Sequence, residues 1–106
     1  MNPSGEQEAG MDQEELLRGV RILVEGRVQG VGFRYWVKHQ ALRHNLTGWV
    51  RNRVDGDVEL YAQGTPSALQ TLIDRCYEGP PTARVLSVNT EWRDQLEEFS
   101  EFSIRI

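Results

Sequence analysis

Two predicted helices, each with a single apolar stripe, constrain the fold of this 106-residue chain most strongly. Apolar residues recur at helical spacing over residues 33–44 and again after Thr65 and Pro66, which suit an N-cap and a first helical position. Gly79-Pro80-Pro81 ends the second pattern. A helix with one apolar stripe buries that stripe against another layer, so the chain needs a sheet or further helices beside it.

The segments around these helices predict the strands of a sheet. Residues that suit strands cover about 20–25, 47–53, 57–63 and 84–92, and a last alternating segment covers 102–106. Asp55-Gly56 predicts a hairpin turn between the second and the third strand. The order βαββαβ predicts an α+β fold, a ferredoxin-like sandwich with an antiparallel sheet and both helices on one face. This fold hosts many functions and therefore decides none by itself.

Residues 1–18 differ in composition from the rest of the chain. They combine acidic residues with the structure breakers Pro3, Gly5 and Gly10, which predicts a flexible leader before one domain at 19–106. The net charge of −4 argues against a nucleic-acid-binding protein. No signal-peptide pattern is present, and no apolar run approaches the about 18 residues of a membrane span. The sequence therefore predicts a cytoplasmic protein without a membrane partner.

The junction between the first strand and the first helix holds three glycines within seven residues, Gly26, Gly30 and Gly32. Glycine allows a backbone that points several amide N–H groups at one ligand, and a helix N-terminus adds the positive end of its dipole. Arg34 would lie in the first helical turn, where the dipole disfavours a cation unless an anion is bound. The residues alone leave two interpretations open, an anion-binding loop or a plain strand-to-helix turn.

Asn52 is the second candidate for chemistry, because it ends the predicted second strand. In a split βαβ unit, this strand end and the start of the first helix can lie at one edge of the sheet, within reach of the same ligand. Asparagine is also common beside turns, where its side chain hydrogen-bonds its own backbone. The local pattern therefore leaves a structural role for Asn52 open as well.

Together, these two segments resemble the signature of the acylphosphatase family. G-R-V-Q-G-V-G-F-R covers residues 26–34, G-W-V-R-N covers residues 48–52, and the similarity extends over residues 21–106. The resemblance implies an enzyme that hydrolyses a small acyl phosphate to a carboxylate and inorganic phosphate, without a metal or another cofactor. We expect such an enzyme to be a monomer.

The resemblance also implies roles for individual residues. Arg34 would bind the phosphoryl group, and Asn52 would orient the attacking water in line with the scissile bond. Loop amides would hold the same phosphoryl oxygens, and they belong to Gln29, Gly30, Val31, Gly32, Phe33 and Arg34. Since an asparagine amide is not a base, we expect the substrate's own phosphoryl oxygens to accept the proton of the water.

Several side chains offer alternatives to this mechanism. His39 and His44 are candidate general bases, although their positions suit a solvated surface and a helix C-terminus. Cys76 is a candidate nucleophile, but its place on an apolar stripe predicts a core residue. A metal site would need the acidic residues near the C-terminus, which we expect to be solvated instead: Glu97, Glu98 and Glu101.

Two rival functions also fit the predicted topology. An RNA-binding module would stack bases on aromatic residues of its central strands, where this chain offers only Tyr61. A catalytically weak relative could bind an anion or a protein partner for regulation. The presence of both Arg34 and Asn52 favours the enzyme.

Overall fold

The computed structural model describes residues 16–106, so most of the leader predicted at residues 1–18 lies outside the described residues. Within this range the chain forms β1 Arg18–Arg27, α1 Phe33–Arg43, β2 Thr47–Asn52, β3 Val58–Gly64, α2 Pro66–Glu78, β4 Arg84–Arg93 and β5 Phe102–Arg105. This order confirms the predicted ferredoxin-like α+β fold. The described helices are both too short and too polar to cross a membrane.

The strands form one five-stranded sheet in the order β4-β1-β3-β2-β5. β1 pairs antiparallel with β3 and β4, and β2 pairs antiparallel with β3. β5 differs from the predicted antiparallel arrangement, because it pairs parallel with β2. The reason is the direction of β4: it runs opposite to β1, so β5 returns along the direction of β1 and β2.

The core lies between the sheet and both helices. Every second residue of β1 faces it, and Val20, Ile22 and Val24 are fully buried. The predicted helical stripes meet these residues, with Phe33 and Val37 from α1 and with residues of α2. Burial of each such side chain contributes about 1.5–3 kcal/mol. The stripes therefore hold α1 in place on the sheet, and the start of α1 forms part of the site described below.

Cys76 belongs to this core, as predicted. Its side chain is fully buried on α2, and burial raises the pKa of the thiol to about 12. A thiolate is the reactive form of cysteine, so a buried thiol of this kind is inert near neutral pH.

The hairpin between β2 and β3 places Asn52 at the edge of the sheet. Asn52 is the last residue of β2 and pairs with Val58. Beyond this pair, the Arg53 amide donates to the Asp57 carbonyl at 2.8 Å, and the Asp55 carboxylate accepts from the Asp57 amide at 3.0 Å. The turn predicted at Asp55-Gly56 is confirmed, although its loop is longer than a two-residue turn.

Candidate active site

The loop between β1 and α1 adopts a conformation that depends on its glycines. Gly30 and Gly32 have φ angles of 74° and 80°, in the left-handed region that residues with a Cβ rarely adopt. Gly32 is the N-cap of α1, and its carbonyl accepts the first helical hydrogen bond from the Trp36 amide at 3.0 Å. Amides at the start of a helix lack helical partners, so they are available to an anion at this point.

Two side chains hold the loop from outside. Gln29 Nε2 donates to the carbonyls of Arg53 and Asp57, at 2.7 Å and 2.8 Å. Thr82 Oγ1 donates to the Val31 carbonyl at 2.7 Å, from the connection between α2 and β4. The loop is therefore fastened to the rest of the fold on two sides, which favours a preorganised site.

A pocket of about 140 Å³ brings Arg34 and Asn52 together. Gly30, Gly32 and Phe33 also line it. The loop and the strand end thus share one site, as the sequence predicts. Gln29 and Val31, whose backbone amides were predicted to bind the phosphoryl group, do not line the pocket. The Gln29 side chain turns toward the hairpin, and Val31 packs against the core.

Two further lining residues, Val28 and Tyr35, were missed by the sequence reasoning. Val28 is buried at the end of β1, and Tyr35 is 71% exposed in the first turn of α1. Val28 lies within the motif of residues 26–34 and Tyr35 directly follows it, and this position in the sequence was the signal that could have identified them. Tyr35 places an aromatic side chain at the rim of the pocket.

The side-chain oxygen of Asn52 is unusual, because Oδ1 is buried and has no hydrogen-bond partner among residues 16–106. Leaving a buried acceptor without a partner costs about 1–3 kcal/mol, and such groups are rare in folded proteins. The structural role considered for Asn52 would have used this oxygen in the turn, but Asp55 supplies the carboxylate that caps the turn. Asn52 Oδ1 is therefore available to accept a hydrogen bond from a water or a ligand in the pocket.

Arg34 is oriented by the C-terminal strand. Its Nη1 donates to the carbonyl of Arg105 in β5 at 3.1 Å. A guanidinium has five N–H donors in a rigid plane, so this contact leaves donors for two oxygens of one anion. No acidic residue lies in the first turn of α1 to neutralise this charge. The pocket therefore combines helix amides and a guanidinium, both of which favour an anion.

The alternative catalytic side chains lie elsewhere. His39 is exposed on α1, and His44 caps the other end of that helix, where its amide donates to the Ala41 carbonyl at 3.2 Å. Neither histidine lines the pocket of Arg34 and Asn52. Across residues 16–106, no three His, Cys, Asp or Glu side chains come together as they would to hold a metal ion.

A larger cavity, of about 620 Å³, lies at the opposite ends of β2 and β3, beside Thr47 and Gln63. Within the part of the chain that the structure describes, its lining contains Glu97 and Glu98 but no arginine or lysine. An anionic group would be repelled there, so size alone does not identify the site. The positive charge of Arg34 and the unpaired acceptor Asn52 Oδ1 favour the smaller pocket as the anion-binding site.

Comparisons with known proteins find similar sequences and structures over most of this chain. A family model described as Acylphosphatase matches residues 20–104. An acylphosphatase of Geobacillus kaustophilus is 48% identical over 88 residues, which cover 83% of this chain and 94% of that protein. The crystal structure of acylphosphatase from Bacillus subtilis superposes with a TM-score of 0.82 at 43% identity and covers 84% of this chain and 99% of its own. An acylphosphatase structure from Coxiella burnetii gives 0.81 at 41% identity, over 87% of this chain and 96% of its own.

Proposed function

The chain belongs to the acylphosphatase family and hydrolyses acyl phosphates, and we propose that it does so with Arg34, the loop amides and Asn52 as its catalytic groups. Arg34 and the amides at residues 29–34 hold the oxygens of the phosphoryl group. Asn52 holds the attacking water. The observation that carries this assignment is the buried, unpaired Asn52 Oδ1 in the same pocket as Arg34.

The reaction needs positioning and charge stabilisation more than covalent chemistry. Phosphoryl transfer passes through a loose transition state in which charge is spread over the equatorial oxygens. Amides at the start of α1 and the Arg34 guanidinium are fixed donors for that charge. The carboxylate of an acyl phosphate is a good leaving group, so its departure needs no strong protein acid.

The water is held by one hydrogen bond and loses its proton to the substrate. Asn52 Oδ1 accepts a hydrogen bond from the water and thereby orients the water oxygen toward phosphorus, opposite the leaving carboxylate. The new P–O bond forms as the P–O bond to the carboxylate breaks, and a phosphoryl oxygen takes the proton of the water. The products are a carboxylate and inorganic phosphate, and no step requires His39 or His44.

The first test separates binding from turnover. We expect Arg34→Ala to lower turnover of benzoyl phosphate by at least about 100-fold and to weaken phosphate binding strongly, because a fixed donor to the phosphoryl oxygens is lost. We expect Asn52→Ala to lower kcat by about 100-fold or more and to change phosphate affinity by less than about 3-fold, since only the water loses its partner. Phosphate release in the presence of EDTA and phosphate titration measure the two properties.

Matched variants control for unspecific effects. Arg43→Ala removes an arginine from the other end of α1, and Asn89→Ala removes an exposed asparagine of β4. Both should retain wild-type turnover. Equal losses of turnover and phosphate affinity in Asn52→Ala would contradict the assigned role of Asn52. A folded wild type without turnover would contradict the proposed function, and loss of turnover in EDTA would contradict the metal-free mechanism.

The aromatic side chain that the rival RNA-binding function would need is not accessible to a base. Tyr61 is only 2% exposed, and its hydroxyl donates to Gln63 Oε1 at 2.9 Å. A base cannot stack on a ring that the protein already covers. That the enzyme acts as a monomer in the cytoplasm remains a prediction.

A further inference from the structure

The two halves of the proposed site lie on strands that are not neighbours. The loop follows β1, Asn52 ends β2, and β3 lies between these strands in the sheet. The hydrogen bonds between β2 and β3 therefore set the position of Asn52 relative to β3, but they do not directly set its position relative to the loop. Hydrolysis by an in-line water depends on this distance, because misplacement of a reacting group by about 1 Å can cost about 100-fold in rate.

The side chain of Gln29 crosses this gap. Its Nε2 donates to two carbonyls, Arg53 O at 2.7 Å and Asp57 O at 2.8 Å, and the side chain is part-buried. Arg53 directly follows Asn52, and Asp57 directly precedes Val58, the ladder partner of Asn52. Gln29 itself directly precedes Gly30 of the pocket. Two short hydrogen bonds thus join the anion-binding loop to both sides of the hairpin that carries Asn52.

The contact requires the chemistry of glutamine. One amide nitrogen carries two N–H groups, and each of them serves one carbonyl here. Methionine has similar length but no donor, and asparagine is shorter by one methylene. A glutamate carboxylate would place negative charge against two carbonyl oxygens, and its protonated form could donate only once. The Gln29 side chain therefore links the loop backbone to the hairpin backbone at a fixed distance.

We propose that Gln29 is a positioning residue that sets the distance from Asn52 Oδ1 to the phosphoryl group, an inference that rests on the proposed function. The Gln29 side chain acts through the hairpin and does not touch the reacting atoms. Its side chain is separate from the backbone amide that was assigned to the loop, so a substitution leaves that amide in place. The expected consequence is a loss in kcat rather than a loss in phosphate affinity.

Gln29→Met tests this proposal. We expect kcat for benzoyl phosphate to fall by about 10- to 100-fold while phosphate affinity changes by less than about 3-fold. Gln70→Met is the matched control, because Gln70 Nε2 donates to Asp74 on the exposed side of α2. It should leave both values at the wild-type level. Wild-type kcat in Gln29→Met, or equal losses of kcat and affinity, would overturn the proposal.

Gln29→Glu adds a readout that a purely structural role would not produce. The carboxylate is destabilised by burial and by the two carbonyls, so we expect kcat relative to wild type at the same pH to recover as the pH falls and the carboxyl becomes a donor. A ratio that does not change with pH would overturn the proposal. Circular dichroism monitors folding, and unfolding of both variants would make Gln29 a stability residue and also overturn it.

The wild-type measurement separates the two levels of inference. A folded wild type that does not hydrolyse benzoyl phosphate overturns the proposed function and, with it, the role of Gln29. An active wild type with an unaffected Gln29→Met variant overturns the role of Gln29 alone.

Discussion

At the scale of single residues, two side chains that do not line the pocket hold the loop of the proposed site. Gln29 fastens the loop to the hairpin, and Thr82 fastens it on the other side through the Val31 carbonyl. An anion site built from backbone amides works only if the backbone stays in place, because the amides act as fixed dipoles. Thr82 holds the Val31 backbone between the two pocket glycines, whereas the Gln29 side chain holds the hairpin. The Thr82 hydroxyl, rather than the Gln29 side chain, should therefore influence phosphate binding.

Thr82→Val tests this dependence, since valine keeps the shape and removes the hydroxyl. The lost hydrogen bond is worth about 0.5–1.5 kcal/mol, so we expect phosphate affinity to weaken by about 2- to 10-fold. Thr71→Val is the control, because its exposed hydroxyl donates to the Ser67 carbonyl within α2. Isothermal titration with phosphate measures both, and identical affinities in the two variants would show that Thr82 does not support the loop.

At the scale of elements, β2 contributes Asn52 to the pocket. Gly48 near its start has a φ of 139°, and a Cβ there would collide with the backbone of Tyr61 in β3. Gly56 in the hairpin also has a positive φ, of 102°, but a Cβ there would meet nothing within 4 Å. The two glycines therefore share a conformational requirement and differ in the close approach of a neighbouring strand.

This difference predicts unequal costs of alanine. Both Gly48→Ala and Gly56→Ala should lose stability from the positive φ, by about 1–3 kcal/mol. Gly48→Ala should lose a further 1–3 kcal/mol or so, because β2 and β3 must move apart. Urea unfolding of both variants gives the two free energies of unfolding. Equal values would mean that the pairing of β2 and β3 tolerates the extra atom.

At the scale of the whole molecule, one carboxylate on the sheet face away from the helices links three neighbouring strands. Glu59 in β3 binds Arg21 of β1 and Arg51 of β2, with N–O distances of 2.6 Å for both pairs. Burial by itself raises the pKa of Glu59, but the hydrogen bonds and charges of these two arginines outweigh it and lower the pKa below its ordinary value. The group therefore stabilises the fold when it is ionised.

The sign of this shift predicts stability that is lost in acid. A carboxylate whose pKa is lowered in the folded state contributes its full stabilisation above the unfolded pKa of about 4.3. This stabilisation disappears as the pH falls through the folded pKa. We expect Glu59→Gln to lower the free energy of unfolding by about 1–3 kcal/mol at pH near 7 and by progressively less below pH about 4.

Denaturant unfolding across this pH range measures the effect. Glu91→Gln is the control, because Glu91 forms an exposed pair with Arg93 at 3.3 Å and should contribute less than about 1 kcal/mol. A Glu59→Gln difference that stays constant from neutral pH to pH about 3 would contradict the assignment of this stability to the ionised carboxylate.

Local signals in the sequence determined the helices and strands, and the order of these elements indicated where the glycine loop and Asn52 can come together. Thr65 accepts from the Ala68 amide as the predicted N-cap, and Gly79 ends α2 where the Gly-Pro-Pro run predicted it. Such signals act between residues a few positions apart, so they are readable without the fold. The βαββαβ order also indicated that the loop and Asn52 can lie at one edge of the sheet, and the structure places both at one pocket.

Only the tertiary structure decided which side chains hold the loop of the site by hydrogen bonds and which polar atom of the site is unpaired. Gln29 and Asp57 lie 28 residues apart in the chain, and Thr82 and Val31 lie 51 apart. The missing partner of Asn52 Oδ1 and the parallel docking of β5 likewise depend on where distant segments come to rest. Hydrogen bonds form or fail over distances of a few tenths of an ångström, and for residues this far apart only the packed fold sets those distances.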